Sequence, residues 1–385
     1  MPAFDVIVVG LGAVGSAALR ELARRGVRVL GIDRFSPPHA LGSSHGETRI
    51  TRLAIGEGAH YTPLAMRSHA IWRELERETG ADLLTQCGGL IVSGENKSSF
   101  THVEGFFRNT VNAARRYGIA HELLDARQIQ ERYPCFSIRD DEFGYFEPGA
   151  GFVRPEACIA AQLRLAQDHG AELHRNETVL EFHAERGSVG VVTDRASYRA
   201  DSLIIAAGAW LPQLLGADYV KLFRIYRQLL CWFAVDESEA FAPARFPVFI
   251  WELSESRQGI YGFPVLDAAG LKIATEQYAQ STTPQQMQRE VGSEEIAAMY
   301  RDYVAPYIRG VSARCTKAVS CLYTVTPDAG FVIDRLAAAE RIIVASCCSG
   351  HGFKHSAAIG EALAEMAQGR QSTFDLSPFS LGRFS

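Results

Sequence analysis

An α/β fold in two parts, one wound on parallel strands and one built mostly of antiparallel sheet, is what this sequence predicts. Three observations carry that expectation. Residues 1–33 read as strand, glycine turn, helix and strand; residues about 220–310 lose that rhythm for β-rich stretches; and residues from about 341 return to strand, glycine turn and helix. A chain of 385 residues also exceeds one ordinary domain, at roughly 100–200 residues each.

The elements follow in order. Val6 to Val9 is a continuous apolar run, as expected of a parallel strand buried on both faces. Ala17, Ala18, Leu19, Leu22 and Ala23 have helical spacing, stopped by Gly26, and Val27 to Ile32 is a second strand ending at Asp33. A loop through SPPHALGSSHGETR leads to a helix opened by Thr62-Pro63 and stopped by Gly80. Thr110 to Tyr117 and Ala126 to Arg132 read as helices, and Pro155 opens another that ends at Gly170. Thr178 to His183, Val189 to Thr193, Ser197 to Arg199 and Leu203 to Ala207 read as β segments. In the middle block, Arg227 to Val235, Ile260 to Phe263 and Leu271 to Ala274 are β-rich, with a helix over Glu294 to Val304. Arg341 to Ala345 is a strand, Ser349 to Lys354 a glycine turn, and Ser356 to Ala367 a helix.

Composition excludes several classes. With 47% hydrophobic and 22% charged residues the chain has the balance of a soluble globular protein. Its net charge of −5 offers no basic surplus for a phosphate backbone, so nucleic acid is not an expected partner. No signal peptide or transmembrane run is evident, so no membrane partner is expected. The eight cysteines lack CxxC spacing, which argues against a zinc site or disulfide scaffold and for a reducing compartment, the cytoplasm. No metal is expected.

Gly10, Gly12 and Gly15 form G-x-G-x-x-G between the first strand and helix, and Asp33 lies eighteen residues beyond the third glycine. The first glycine permits a tight turn, the second lets the backbone approach a pyrophosphate, and the third allows close helix–strand packing. The helix N-terminus offers free N–H groups to phosphates, and Asp33 can accept hydrogen bonds from a ribose. A nicotinamide enzyme usually continues with further βα units. This chain leaves for a long loop and returns much later, a layout that suits FAD and a Rossmann-like domain of the glutathione reductase type. The expected partition is residues 1–85, 145–215 and 315–385 for FAD, with 86–144 and 216–314 for substrate.

Several motifs then carry a family resemblance: GSSHGETRITRLAIGEG (Gly42 to Gly58), CLYTVTPDAGFVID (Cys321 to Asp334), SGHGFKHS (Ser349 to Ser356), YGFP (Tyr261 to Pro264), GLK (Gly270 to Lys272) and the closing FDLSPF. Across essentially the whole chain the sequence resembles the monomeric sarcosine oxidase family, which includes N-methyltryptophan and pipecolate oxidases. The resemblance implies a monomeric flavoprotein oxidase that converts a secondary amino acid to an imine while O₂ becomes hydrogen peroxide. It implies FAD tethered through Cys321 as a thioether, although composition alone reads that cysteine as a small buried apolar residue. It implies a substrate-carboxylate clamp of Arg52 and Lys354, chemically apt because guanidinium and ammonium both pair with carboxylates. Without it both would read as surface cations.

Arg49 and Lys272 are implied to stand on the flavin face opposite the substrate, where positive charge favours anionic reduced oxygen. Lys272 could equally read as an exposed lysine on an alternating strand. His45, Tyr323 and Tyr261 complete the implied catalytic set, and Glu57 matches an acid near the pocket mouth. Arg34, Ser43, Thr48, Val179, Gly208, Gly350, Gly352 and Lys354 join Gly10, Gly12, Gly15, Asp33 and Cys321 as expected cofactor contacts. The helix beginning near Lys354 is expected to aim its N-terminus at the flavin.

Two departures bear on substrate. The residue four beyond Lys272 is a histidine in the sarcosine- and N-methyltryptophan-oxidising members and is Glu276 here. The stretch Ser254 to Arg257 looks longer than in sarcosine oxidases. Alternatives of another kind also stand: a dehydrogenase passing electrons to a carrier, or a non-catalytic FAD-binding protein.

Overall fold

The computed structural model describes residues 3–94, 103–253, 259–337 and 339–384. The stretch Ser254 to Arg257 lies outside them. The expected βαβ opening is present as strand Ala3–Val9, helix Ala13–Arg24 and strand Val29–Asp33. These strands sit at the heart of a parallel array in the order Ala339–Ser346, Ser197–Ile205, Ala3–Val9, Val29–Asp33, Glu172–Arg175. Val6 and Val8 face a layer with Leu19, Leu22, Ile159, Leu163, Ile359 and Leu363, drawn from helices Ala13–Arg24, Pro155–Asp168 and Ser356–Ala367. Ile7 and Val9 face the other way, into a cluster with Val189, Val191, Leu211 and Phe223. Both faces are covered, which is why the strand sequence is apolar without alternation.

The expected β segments Ser197 to Arg199 and Leu203 to Ala207 are one strand, Ser197–Ile205. Its first half pairs antiparallel with Ser188–Thr193 and its second half runs parallel to Ala339–Ser346. The partner changes along the strand, and the burial pattern changes with it. Similarly, the helix expected over Glu294 to Val304 is α-helical over Ser293–Met299 and widens into a π turn at Tyr300–Val304.

The second sheet has the order Ser281–Thr282, Arg224–Val235, Leu271–Thr275, Ile260–Phe263, Val248–Trp251, Gly89–Gly94, Glu142–Glu147, Glu122–Asp125. It is antiparallel apart from the pairing of Val248–Trp251 with Gly89–Gly94. The long strand Val311–Val325 runs antiparallel along Arg224–Val235, on the side opposite Leu271–Thr275. Residues 315–325, placed with the FAD segments by the sequence partition, therefore hydrogen-bond into the antiparallel sheet, and so does Glu142–Glu147, which straddles the boundary drawn at 144/145. Periodicity did not identify Val311–Val325 because its first half is half-exposed and its last six residues are all buried, so no single pattern spans it. A small third sheet joins Arg49–Thr51, Gly151–Val153 and Leu84–Thr85 and carries the loop of Arg52 toward the second sheet.

Candidate active site

The glycine turn behaves as its spacing demands. Gly10 has φ of +86°, and a side chain there would meet the Ala206 carbonyl at 2.6 Å. A Cβ on Gly15 would stand 1.7 Å from the Gly10 carbonyl oxygen, so only glycine lets the helix start this close to the strand. Gly12 faces open space, with Ser44 Oγ as its nearest neighbour at 4.0 Å. Around this turn lies a cleft of about 370 Å³ lined by Gly10, Gly12, Asp33, Arg34, Ser43, Val179 and Gly208, all expected cofactor contacts. The Leu11 and Phe35 amides donate to opposite oxygens of Asp33, at 2.7 and 2.8 Å. Burial raises the Asp33 pKa while those two amides oppose the shift. The Arg34 guanidinium sits over the rings of Phe35 and Trp210. Gly15, Thr48, Cys321, Gly350, Gly352 and Lys354 lie off the lining of this cleft.

Beyond the cleft two cations stand together, Lys272 buried and Arg49 partly exposed. Lys272 Nζ donates to the Gly46 carbonyl at 2.7 Å and to the carbonyl and hydroxyl of Thr48, both at 2.9 Å. It also lies 4.3 Å from the centre of the Phe263 ring. Arg49 donates to the Ser43 and Thr48 carbonyls. The supporting loop is pinned by Glu156, whose Oε1 accepts from the amides of Gly46 and Glu47. Burial first, and then Arg49, depresses the Lys272 pKa well below the usual lysine range. His45 is pushed down to about 3 by burial and by the same two cations, so its imidazole is neutral, and its Nε2 has no hydrogen-bond partner among the described residues. Cys321 is buried among Leu230, Trp232, Ala274 and Tyr323; burial raises its thiol pKa and Arg49 opposes that. Lys272 is therefore not the exposed lysine that alternation allowed.

A second charged group surrounds Glu57. Arg52 Nη2 donates to Glu57 Oε2 at 2.5 Å, and Lys354 Nζ lies 3.4 Å from Oε1. Lys354 also donates to the His351 carbonyl at 2.7 Å, and Arg52 donates to the Ala54 carbonyl. Burial alone would raise the Glu57 pKa, but Arg52 and Lys354 overcome it and hold the carboxyl well below its usual range. Lys354 is lowered to about 8, chiefly by burial. Two cations share one carboxylate, and the group carries one unbalanced positive charge in a buried place. Tyr261 and Tyr323 meet hydroxyl to hydroxyl at 3.2 Å.

Gly350, with φ of +81°, lies against Glu276, Tyr323 and Tyr278. Gly352 is packed under Cys347, whose carbonyl a Cβ would meet at 1.7 Å. Between this turn and helix Ser356–Ala367 runs a 3₁₀ turn, Phe353–His355, which contains Lys354.

Sequence reasoning did not single out Glu147, Glu156, Tyr278 or His351. Glu147 holds the Arg52 loop by accepting from the amides of Leu53 and Ala54 and from the Tyr145 hydroxyl. Both acids are distant in sequence from the loops they hold, so no local spacing reveals them. His351 was legible, since it stands inside the glycine-rich SGHGFKHS segment.

The cleft fits an adenine dinucleotide, and the adjoining pair of cations, placed beside a buried cysteine and unpaired with any carboxylate among the described residues, fits a ring system that gains negative charge on reduction. Fold and site together define a flavin-type oxidoreductase. The comparisons agree: the chain belongs to the FAD dependent oxidoreductase (DAO) family, whose model matches residues 5–366. It is 38% identical over 99% of its length to a monomeric sarcosine oxidase of Bacillus sp. (strain NS-129), covering 97% of that protein. It is 40% identical over 95% of its length to the monomeric sarcosine oxidase of Streptomyces avermitilis, covering 94% of it. Against the N-methyl-L-tryptophan oxidase of Yersinia pestis (strain Pestoides F) the identity is 34%, with 99% of both chains covered. Among solved structures, NikD, an unusual amino acid oxidase essential for nikkomycin biosynthesis, shares the fold at a TM-score of 0.81 and 23% identity, with 99% of this chain and 98% of that one covered.

Proposed function

We propose that the protein is a flavoprotein oxidase of secondary amino acids, N-methyl or cyclic, which converts the C–N bond to an imine while O₂ is reduced to hydrogen peroxide. The observation that carries this reading is the unbalanced positive charge shared by Arg52, Lys354 and Glu57, buried in the same region as Tyr261, Tyr323 and Cys321. A substrate carboxylate neutralises that charge. Arg52 gives it a planar donor and Lys354 a point charge, so the amino acid is held at one end and its C–N bond is fixed relative to the cofactor. Tyr261 and Tyr323 wall the pocket and exclude water.

FAD, when bound, supplies the two-electron acceptor. Gly10, Gly12, Asp33, Arg34, Ser43, Val179 and Gly208 hold its nucleotide part, and Cys321 is the residue that tethers it. Arg49 presents fixed positive charge where dioxygen would be reduced, and Lys272, held by Thr48 and Gly46, adds hydrogen-bond donors there and a positive charge when protonated. The assignment of segments 1–85, 145–215 and 315–385 to FAD and of 86–144 and 216–314 to substrate is retained as a proposal. Strand Val311–Val325 within it serves both parts: it belongs to the antiparallel sheet by pairing and brings Cys321 to the cofactor.

We place the protein as a monomer in the cytoplasm, in keeping with its scattered thiols; no helix among the described residues is long and apolar enough to cross a membrane.

The test is a panel of sarcosine, N-methyltryptophan, pipecolate, proline and cationic N-methyl amino acids. Peroxide release in air with at least one of them is expected. Anaerobic flavin bleaching without peroxide in air would assign a dehydrogenase instead, and a yellow protein that none of them bleaches would remove the catalytic reading.

A further inference from the structure

Glu276 is a buried carboxyl, 9% exposed, that meets Tyr278 and Tyr323 around Gly350. Its Oε2 accepts the Tyr278 hydroxyl at 2.8 Å. Its Oε1 points at Gly350, where a Cβ would stand only 2.9 Å away, and takes no hydrogen bond from the described residues. Glycine at 350 leaves beside this oxygen the space that a side chain would fill. We propose that Glu276 takes the proton from the ammonium nitrogen of the bound substrate, an inference that rests on the secondary-amine chemistry proposed above.

The need for such a group is chemical. A hydride can leave the carbon beside nitrogen only when nitrogen has a free electron pair, whereas a secondary amine in water carries a proton near neutral pH. When the substrate carboxylate joins Arg52, Lys354 and Glu57, that group becomes neutral. The ammonium and the Glu276 carboxylate then remain as a second pair of opposite buried charges. Moving the proton from nitrogen to Oε1 breaks one N–H bond, forms one O–H bond and transfers no electrons. Both buried charges vanish, which favours the transfer in a dry site. After the imine leaves, Glu276 returns the proton to water.

Of the groups around it, only Lys354 among the described residues titrates as near neutrality as Glu276. Tyr278 on its own segment, Tyr323 on Val311–Val325 and Tyr261 on Ile260–Phe263 are pushed up by burial and stay neutral. Tyr226, on Arg224–Val235, packs edge-on against Tyr278. The glycine turn contributes Cys348, His351 and Lys354; burial lowers His351 to about 4 and Lys354 to about 8. Arg52 and Glu57 face the site from the loop after Arg49–Thr51. Burial, with Glu57 adding to it, raises Glu276 itself to about 7. A base matched to the working pH is the efficient case for proton transfer.

The experiment compares the holoenzyme with Glu276→Gln by anaerobic stopped-flow reduction with an N-methyl amino acid, taking kred/Kd from pH 6 to 10. The wild type uses the ammonium form of the substrate, and the variant can use only the free amine. Their ratio is therefore expected to be flat below about pH 7 and to fall about tenfold per pH unit above it, roughly 100-fold between pH 8 and 10. Taking the ratio cancels the ionisation of Lys354, which both proteins share. A ratio that stays constant across the range overturns the role. Should Glu276→Gln give no folded flavoprotein, Tyr278→Phe decides: loss of its hydrogen bond to Oε2 must move the acid limb of the profile upward, and an unmoved limb overturns the proposal. Bleaching of neither protein by any N-alkyl amino acid overturns the substrate class together with this role, an outcome distinct from bleaching with a flat ratio.

Discussion

Replacing Lys354 with methionine probes the carboxylate clamp most directly. The ammonium is buried, it shares Glu57 with Arg52, and Arg52 is the closer partner, at 2.5 Å against 3.4 Å. Removing the lysine leaves Arg52 already paired, and the local charge falls from +1 to zero. A charge-assisted hydrogen bond contributes about 1.5–3 kcal/mol, so affinity for a carboxylate should fall roughly 10- to 150-fold. The loss of net charge places the expectation toward the upper end. A small thioether carboxylate without an amine isolates this effect, and its binding can be followed by perturbation of the flavin spectrum. The pH dependence supplies a second mark. Burial lowers Lys354 to about 8, so the cation is present below that pH and is lost as pH rises through it. Wild-type affinity should therefore weaken above about pH 8, and Lys354→Met should lack that limb. A dissociation constant within threefold of wild type, or an unchanged alkaline limb, would refute the clamp.

Other outcomes follow from the remaining parts of the site. Lys272→Met should slow reoxidation by O₂ roughly 10²–10³-fold while leaving anaerobic reduction within a few-fold; equal effects on the two half-reactions would remove its assigned role. Acid precipitation should leave the wild-type flavin in the pellet and release that of Cys321→Ser to the supernatant, and release from both would disprove the tether. Gly15→Ala must displace the start of helix Ala13–Arg24 from the Gly10 carbonyl. It should cost about 3 kcal/mol, read from the denaturant midpoint of the purified protein together with its flavin content; an unchanged midpoint with full flavin would count against the close-packing argument.

The sequence by itself determined the elements whose causes are local. G-x-G-x-x-G, the apolar run Val6 to Val9 and the stop glycines Gly26 and Gly80 fix turns and ends through backbone conformation and period, which act over a few residues. The helices Ala126–Arg132 and Ser356–Ala367 have the bounds the sequence predicts for the same reason. The candidate site was legible only through its motifs. Without the family resemblance, Arg52, Lys354 and Lys272 were ordinary cations and Cys321 an ordinary buried thiol. Tertiary structure alone decided that strand Val311–Val325 pairs with Arg224–Val235, that Glu156 and Glu147 hold loops about a hundred residues away, and that Glu276 is buried beside Gly350. Charge and burial in those places depend on which segments meet. Contacts between distant segments leave no period in the chain, so they could be read only from the fold.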